Sequence, residues 1–206
     1  MRSSALLAGL AVLCLAAPAA RAQYAPPYSH QGFYLRLDGG LGYLSGTADF
    51  DNGTSATAKG GAGYLGLSIG GAVSPDVVVY GELWGMSAVA PTVQYGGFSG
   101  VARDQTLNFG GLGLGIGTFF SHNVFFGVSL DLTRLGVTNS DGSSSNSDVG
   151  LALTATLGKQ FWVTERVGLG FGLKLIGGGN RDNNNNANST TYKTFAGVGV
   201  LALTFG

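Results

Sequence analysis

Across residues 110–132 apolar and small residues alternate with a period of two. Leu112, Leu114 and Ile116 share one face, and Gly111, Gly113, Gly115 and Gly117 the other. After Ser121-His122-Asn123 the pattern resumes, with Val124, Phe126, Val128, Leu130 and Leu132 opposite Gly127, Ser129, Asp131 and Thr133. Period two is the signature of a strand, and two such runs joined by three residues predict a hairpin. The less apolar face is glycine, serine, threonine and one carboxylate. Such a face suits a small polar interior better than a solvated exterior.

The same alternation marks eight segments, at 33–45, 60–73, 77–89, 106–120, 124–138, 149–161, 167–177 and 191–205. Short links at Ser74-Pro75-Asp76, Ser121-His122-Asn123 and around Thr164-Glu165-Arg166 alternate with long polar links at 46–59, 90–105, 139–148 and 178–190. An even number of strands with tight turns at one end and long loops at the other predicts an all-β, antiparallel up-and-down transmembrane barrel of eight strands. Its short turns and both termini then face the periplasm, and its long loops are extracellular.

The apolar band has the height such a barrel needs. Val167, Leu169, Phe171, Leu173 and Leu175 share a face of the seventh segment. Their four intervals of about 6.6 Å, tilted by about 40°, cover roughly 20 Å of the membrane normal, against about 25 Å required. Aromatics gather beside the short turns. Phe33, Phe120, Phe126, Phe161, Trp162 and Phe205 are expected to form the periplasmic aromatic girdle. Two strand-level expectations depart from clean alternation: a bulge near Gly85 that turns Trp84 and Met86 away from the face of Glu82, and Lys159 on the lipid face, snorkelling to headgroups.

Composition narrows the class. The 206 residues contain 37 glycines without a Gly-X-Y repeat and only 11% charged residues, with no basic excess that would suit nucleic acid. Arg2, an apolar run over 5–20 and Ala20-Arg21-Ala22 before Gln23 predict a cleaved signal peptide over 1–22. A lead over 23–32 follows, with Pro26 and Pro27, and then the barrel over 33–206. Removal of the leader takes away Cys14, the single cysteine, and with it any disulfide framework.

These features together resemble the small eight-stranded outer-membrane barrels of the OmpA and OmpX kind. The resemblance covers essentially the whole mature chain. It rests on topology, loop asymmetry and the closing alternation Leu201, Leu203, Phe205, which is similar to the signal that the family presents to its barrel-assembly machinery. Here Gly206 follows the aromatic that in the family is usually last. The resemblance implies a cell outer-membrane location, with outer-membrane lipid and lipopolysaccharide as surroundings.

Inner parity places Arg36, Asp38, Glu82, Asp131 and Lys174 in the lumen at similar heights. Lone buried charges are costly, so a lumenal ion-pair network is expected, with Arg36 and Lys174 neutralising part of the three carboxylates and Lys174 as partner of Asp131. It resembles the charged core of the family, which plugs the barrel and gates a narrow ion path. Purely structural pairs are the other reading, because eight strands enclose space for little more than side chains. Inward Gly66, Gly70, Gly168, Gly170 and Gly172 either make room for Tyr34, Tyr64 or Tyr80 or leave water-filled pockets.

No catalytic constellation, cofactor or metal site is expected. Enzymes among such barrels use a positioned histidine, whereas His30 lies in the lead and His122 in a short turn. Asp49-Phe50-Asp51-Asn52-Gly53 and the asparagine-rich run at 180–188 lack the calcium loop with its closing Glu. The expected function is therefore a non-enzymatic structural role in the envelope. The alternatives are a surface adhesin or receptor acting through the loops, with Tyr95, Phe98 and Arg103 as contacts, and a narrow pore for ions or small solutes.

Overall fold

A computed structural model describes residues 32–51, 53–120, 123–183 and 189–206. The expected signal peptide, the lead as far as Gln31, and both histidines lie outside the described residues. Strands β1 (Phe33–Phe50), β2 (Ser55–Ser74) and β3 (Val77–Val89) open the barrel. A small hairpin of β4 (Thr92–Tyr95) and β5 (Phe98–Val101) interrupts it. β6 (Gln105–Phe120) and β7 (Val124–Asn139) follow, then the short β8 (Ser144–Asn146). β9 (Gly150–Trp162), β10 (Val167–Asn183) and β11 (Ser189–Phe205) complete it.

Eight of these strands form a closed antiparallel ring in the order β1, β2, β3, β6, β7, β9, β10, β11, with β11 returning to β1. Closure gives every wall strand a hydrogen-bonded neighbour on each side, as a strand crossing hydrocarbon requires. β4 pairs with the upper part of β2, β5 with β4, and β8 with the upper part of β7, so these three lie outside the ring.

Alternation in sequence becomes alternation in burial. Along β3, Val78, Tyr80, Glu82, Trp84, Met86 and Ala88 are all buried in the lumen. The outward set is the reverse of a soluble surface: Leu83 is 57% exposed, Leu114 65% and Leu201 72%. A wall of exposed aliphatic side chains around a packed interior is a lipid-facing wall.

β3 differs from the sequence expectation. Its ladder with β2 runs unbroken from Gly63–Ser87 to Ala72–Val78, and the irregularity in that pairing lies at Ala72/Ser74, far from Gly85. Trp84 and Met86 therefore keep the parity of Glu82 and face the lumen. The lumen of a narrow barrel is itself a core, so large apolar side chains belong there as well as on the lipid face. Lys159 is exposed on the outer wall with its ammonium 5.5 Å from the centre of the Phe161 ring.

The links at the loop end are unequal. β1 continues to Phe50 and β2 begins at Ser55, while β10 reaches Asn183 and β11 begins at Ser189, so most of the stretches expected as loops at 46–59 and 178–190 are strand. Paired threonines sustain the ladder there: Thr47 and Thr57 face each other at 3.0 Å between hydroxyls. The β4–β5 turn has Gly96 and Gly97 with φ of 54° and 84°, the double positive φ of a two-residue hairpin turn.

Candidate functional site

Arg36 and Asp38, two residues apart on β1, project into the lumen on the same side. Arg36 Nε donates to Asp38 Oδ1 at 2.8 Å, and its guanidinium lies 4.7 Å from the centre of the Phe125 ring. Glu82 comes from β3 and Lys174 from β10, on opposite sides of the ring. Lys174 Nζ donates to Glu82 Oε2 at 3.1 Å and to the Tyr64 hydroxyl at 2.8 Å, and lies 3.8 Å from Asp38 Oδ2. All five charged residues are at most 5% exposed.

Asp131 departs from the expected pairing. Lys174 meets Glu82, Asp38 and Tyr64, while Asp131 Oδ2 accepts from Thr154 Oγ1 at 2.7 Å and lies 3.2 Å from Ser129 Oγ. Ser129 Oγ also donates to Glu82 Oε1. Ring curvature explains the change: a long lysine on β10 spans the lumen to β3, whereas Asp131 on β7 is nearer the neighbouring hydroxyl on β9. Tyr64, Ser129 and Thr154 were not singled out from sequence as members of this layer, although their inner parity was visible there.

The charged layer lies between two apolar clusters. Toward the short turns, Tyr34, Val78, Tyr80, Phe119 and Phe125 form one apolar cluster. Toward the loops, Leu44, Trp84, Phe109, Leu135 and Ile176 belong to a larger one. Trp84 packs edge-on against Phe109 with ring centres 5.0 Å apart. The cavity at the cluster measures about 10 Å³ and is lined by residues including Arg36, Asp38, Glu82 and Lys174. That is the space of about one water molecule.

Inward glycines are where the rings go. A Cβ on Gly66 would stand 2.5 Å from the Tyr64 hydroxyl, and one on Gly115 would stand 2.5 Å from the Tyr80 ring. Gly168 is covered by the Gln160 amide, while Gly70, Gly170 and Gly172 lie close against neighbouring backbone. These positions are occupied by protein.

Of the expected girdle, Phe33, Phe120, Phe126 and Phe161 are exposed on the outer wall beside the short turns, and Phe205 is half-buried there. Trp162 is not on that wall. It shares the inner parity of Gln160, which is 3% exposed, because the outward position at the end of β9 is taken by Phe161. Asp49 faces Lys193 at 2.8 Å, and among the described residues no group of three or more His, Cys, Asp or Glu side chains converges on a metal position. Leu201, Leu203 and Phe205 pair with Gly39, Leu37 and Leu35 of β1.

No protein-family model matches the sequence, and neither does any curated protein. Solved structures do match in fold. The outer membrane protein OprG from Pseudomonas aeruginosa is similar at 15% identity over 86% of this chain and 98% of its own, with a TM-score of 0.50. AlkL, an outer membrane protein solved in lipid bilayers, is similar at 15% identity over 89% of this chain and 93% of its own, with a TM-score of 0.51. Neisserial surface protein A is 18% identical over 85% of this chain and 97% of its own, with a TM-score of 0.49. The fold is that of the small eight-stranded outer-membrane β-barrels.

Proposed function

We propose that the protein is a non-enzymatic outer-membrane β-barrel with a structural role in the envelope, its lumen sealed and its loop end at the cell surface. The observation that carries this reading is the layering of the interior, in which paired charges lie between two apolar clusters around space for about one water molecule. An ion moving along the axis would have to shed its hydration and pass both apolar layers, at high cost. The same layering speaks against a narrow pore. A fold of this kind hosts many functions, so the non-enzymatic reading rests on the site and not on the fold.

On this reading residues 1–22 direct export and are removed before Gln23. The lipid-facing wall meets outer-membrane lipid and lipopolysaccharide, and the Leu201, Leu203, Phe205 edge is presented to the barrel-assembly machinery. The deciding experiment combines planar-bilayer recording of the purified protein with detergent sensitivity of cells lacking it. A silent bilayer and a leakier envelope support the proposal. Stable single-channel currents would replace it with the pore.

A second reading, surface binding, is favoured by one observation. The β4–β5 hairpin presents Tyr95 at 52% and Phe98 at 83% exposure beyond the barrel wall. Replacing this hairpin by a glycine-serine turn and measuring adhesion of intact cells tests it, with unchanged adhesion counting against it.

A further inference from the structure

Two cations face three carboxylates in the sealed layer, and the pairing leaves one carboxylate over. Arg36 is matched by Asp38 at 2.8 Å, and Lys174 by Glu82 at 3.1 Å, with Asp38 further off at 3.8 Å. Among the described residues no cation stands within ion-pair distance of Asp131, which has 0% exposure. Its Oδ1 has no hydrogen-bond partner and is turned toward the β6 backbone at Gly113. An ionised carboxylate without a counter-charge is among the costliest groups to enclose away from water.

Its other oxygen shows how the cost is avoided. Ser129 Oγ touches two carboxylates at once, Glu82 through Oε1 and Asp131 through Oδ2, the latter at 3.2 Å. A serine hydroxyl has one proton to give and lone pairs with which to accept. The closer contact, to Glu82, takes that proton. The contact to Asp131 would then set two proton-free oxygens against each other, unless the carboxyl itself supplies a proton. Thr154 Oγ1 donates to the same Oδ2 at 2.7 Å, which an acid oxygen still accepts through a lone pair.

We infer that Glu82 and Asp131 hold one proton in common through Ser129, with Asp131 the carboxylic acid that donates to Ser129 while Ser129 donates to Glu82. The layer is then neutral, with two cations, two carboxylates and one acid. The other titratable groups at this layer are Arg36 and Asp38 with Tyr34 of β1, Tyr64 of β2, Tyr80 beside Glu82 on β3, and Lys174 of β10. At the height of Asp131 the inner faces of β6, β9 and β11 bring only glycine, apolar, hydroxyl and amide side chains, and the phenol of Tyr192 on β11 packs against the apolar cluster on the loop side, among the described residues.

Infrared spectroscopy of the protein refolded into dodecylphosphocholine micelles, which carry no ester carbonyl, tests this directly. At neutral pH the wild type should show the carbonyl stretch of one protonated carboxyl group, shifting in deuterium oxide. Asp131→Asn and Glu82→Gln should each abolish the band, because either variant balances the charges without a proton, whereas Asp141→Asn in an exposed loop should leave it. Heat-modifiable gel migration checks that each variant is folded. A wild type without the band overturns the inference whether or not the variants fold, and so does a band that survives in both folded variants.

Discussion

Lys174 and Glu82 meet at 3.1 Å from opposite walls of the barrel, and the same ammonium donates to the Tyr64 hydroxyl of a third strand at 2.8 Å. One side chain thus ties β10 to β3 and β2 through the interior. Truncating it leaves Glu82 without its cation. Lys174→Met should cost about 3–5 kcal/mol, the usual consequence of orphaning a buried charge. The urea midpoint of the vesicle-embedded barrel reports it, and adding Glu82→Met should restore most of the loss. An unshifted midpoint in the single variant would show the pair to be idle.

The inward glycines make a second expectation. A Cβ at Gly115 would lie 2.5 Å from the Tyr80 ring, while one at Gly63 on the outer wall would meet nothing within 4 Å. Gly115→Val should destabilise by about 1–3 kcal/mol through overpacking, whereas Gly63→Val should stay within about 0.5 kcal/mol of wild type. Combining Gly115→Val with Tyr80→Ala frees the space and should recover part of the loss. Equal effects at the two glycines would contradict the assignment of faces.

Depth in the membrane can be read by arginine. Leu130 is 60% exposed near the middle of the outward set of β7, and Thr138 lies close to its loop end. Leu130→Arg should cost about 2–4 kcal/mol, and Thr138→Arg only about 0–1 kcal/mol. Refolding yield and urea midpoints in vesicles would show this gradient. A flat response would mean that this wall does not face hydrocarbon.

At the loop end, Asp141 has a local pH signature. The Ser143 hydroxyl at 2.6 Å and its backbone N–H at 2.8 Å hold the Asp141 carboxyl below its ordinary value of 3.8. Because the folded value is depressed, the contribution to loop order is present above the unfolded value and is lost as pH falls through the folded one. A carbon-detected titration should place its midpoint below the ordinary value, and Ser143→Ala should raise it. A midpoint that ignores the substitution would rule out the contact in solution.

Much of this architecture is legible in the sequence, and the reason is local. Strand parity is a one-dimensional property, so Arg36, Asp38, Glu82, Asp131 and Lys174 could be assigned to one interior from alternation alone. Pairing within that interior depends on how far each strand is sheared against the next, which alternation does not encode. That is why alternation alone pairs Lys174 with Asp131, whereas in the structure Lys174 meets Glu82. Trp84 and Met86 face the lumen and not lipid because an apolar residue on a barrel strand has two apolar destinations. The strand extensions at the loop end are not legible in alternation, because threonine and serine there continue the backbone ladder without any hydrophobic rhythm.

The pairing of Leu35 with Phe205 sets a condition on how the molecule is made. The first wall strand has one of its two neighbours at the far end of the chain, so it stays half-partnered until the last strand is in place. Any intermediate short of that point carries two raw edges, on β1 and on the latest strand added, each able to pair with a stranger. Such closure involves the longest sequence separation the chain offers and comes late. Assembly is therefore a race between the final strand and every competing edge, and whatever shields β1 in the interval determines whether the barrel closes on itself or on its neighbour.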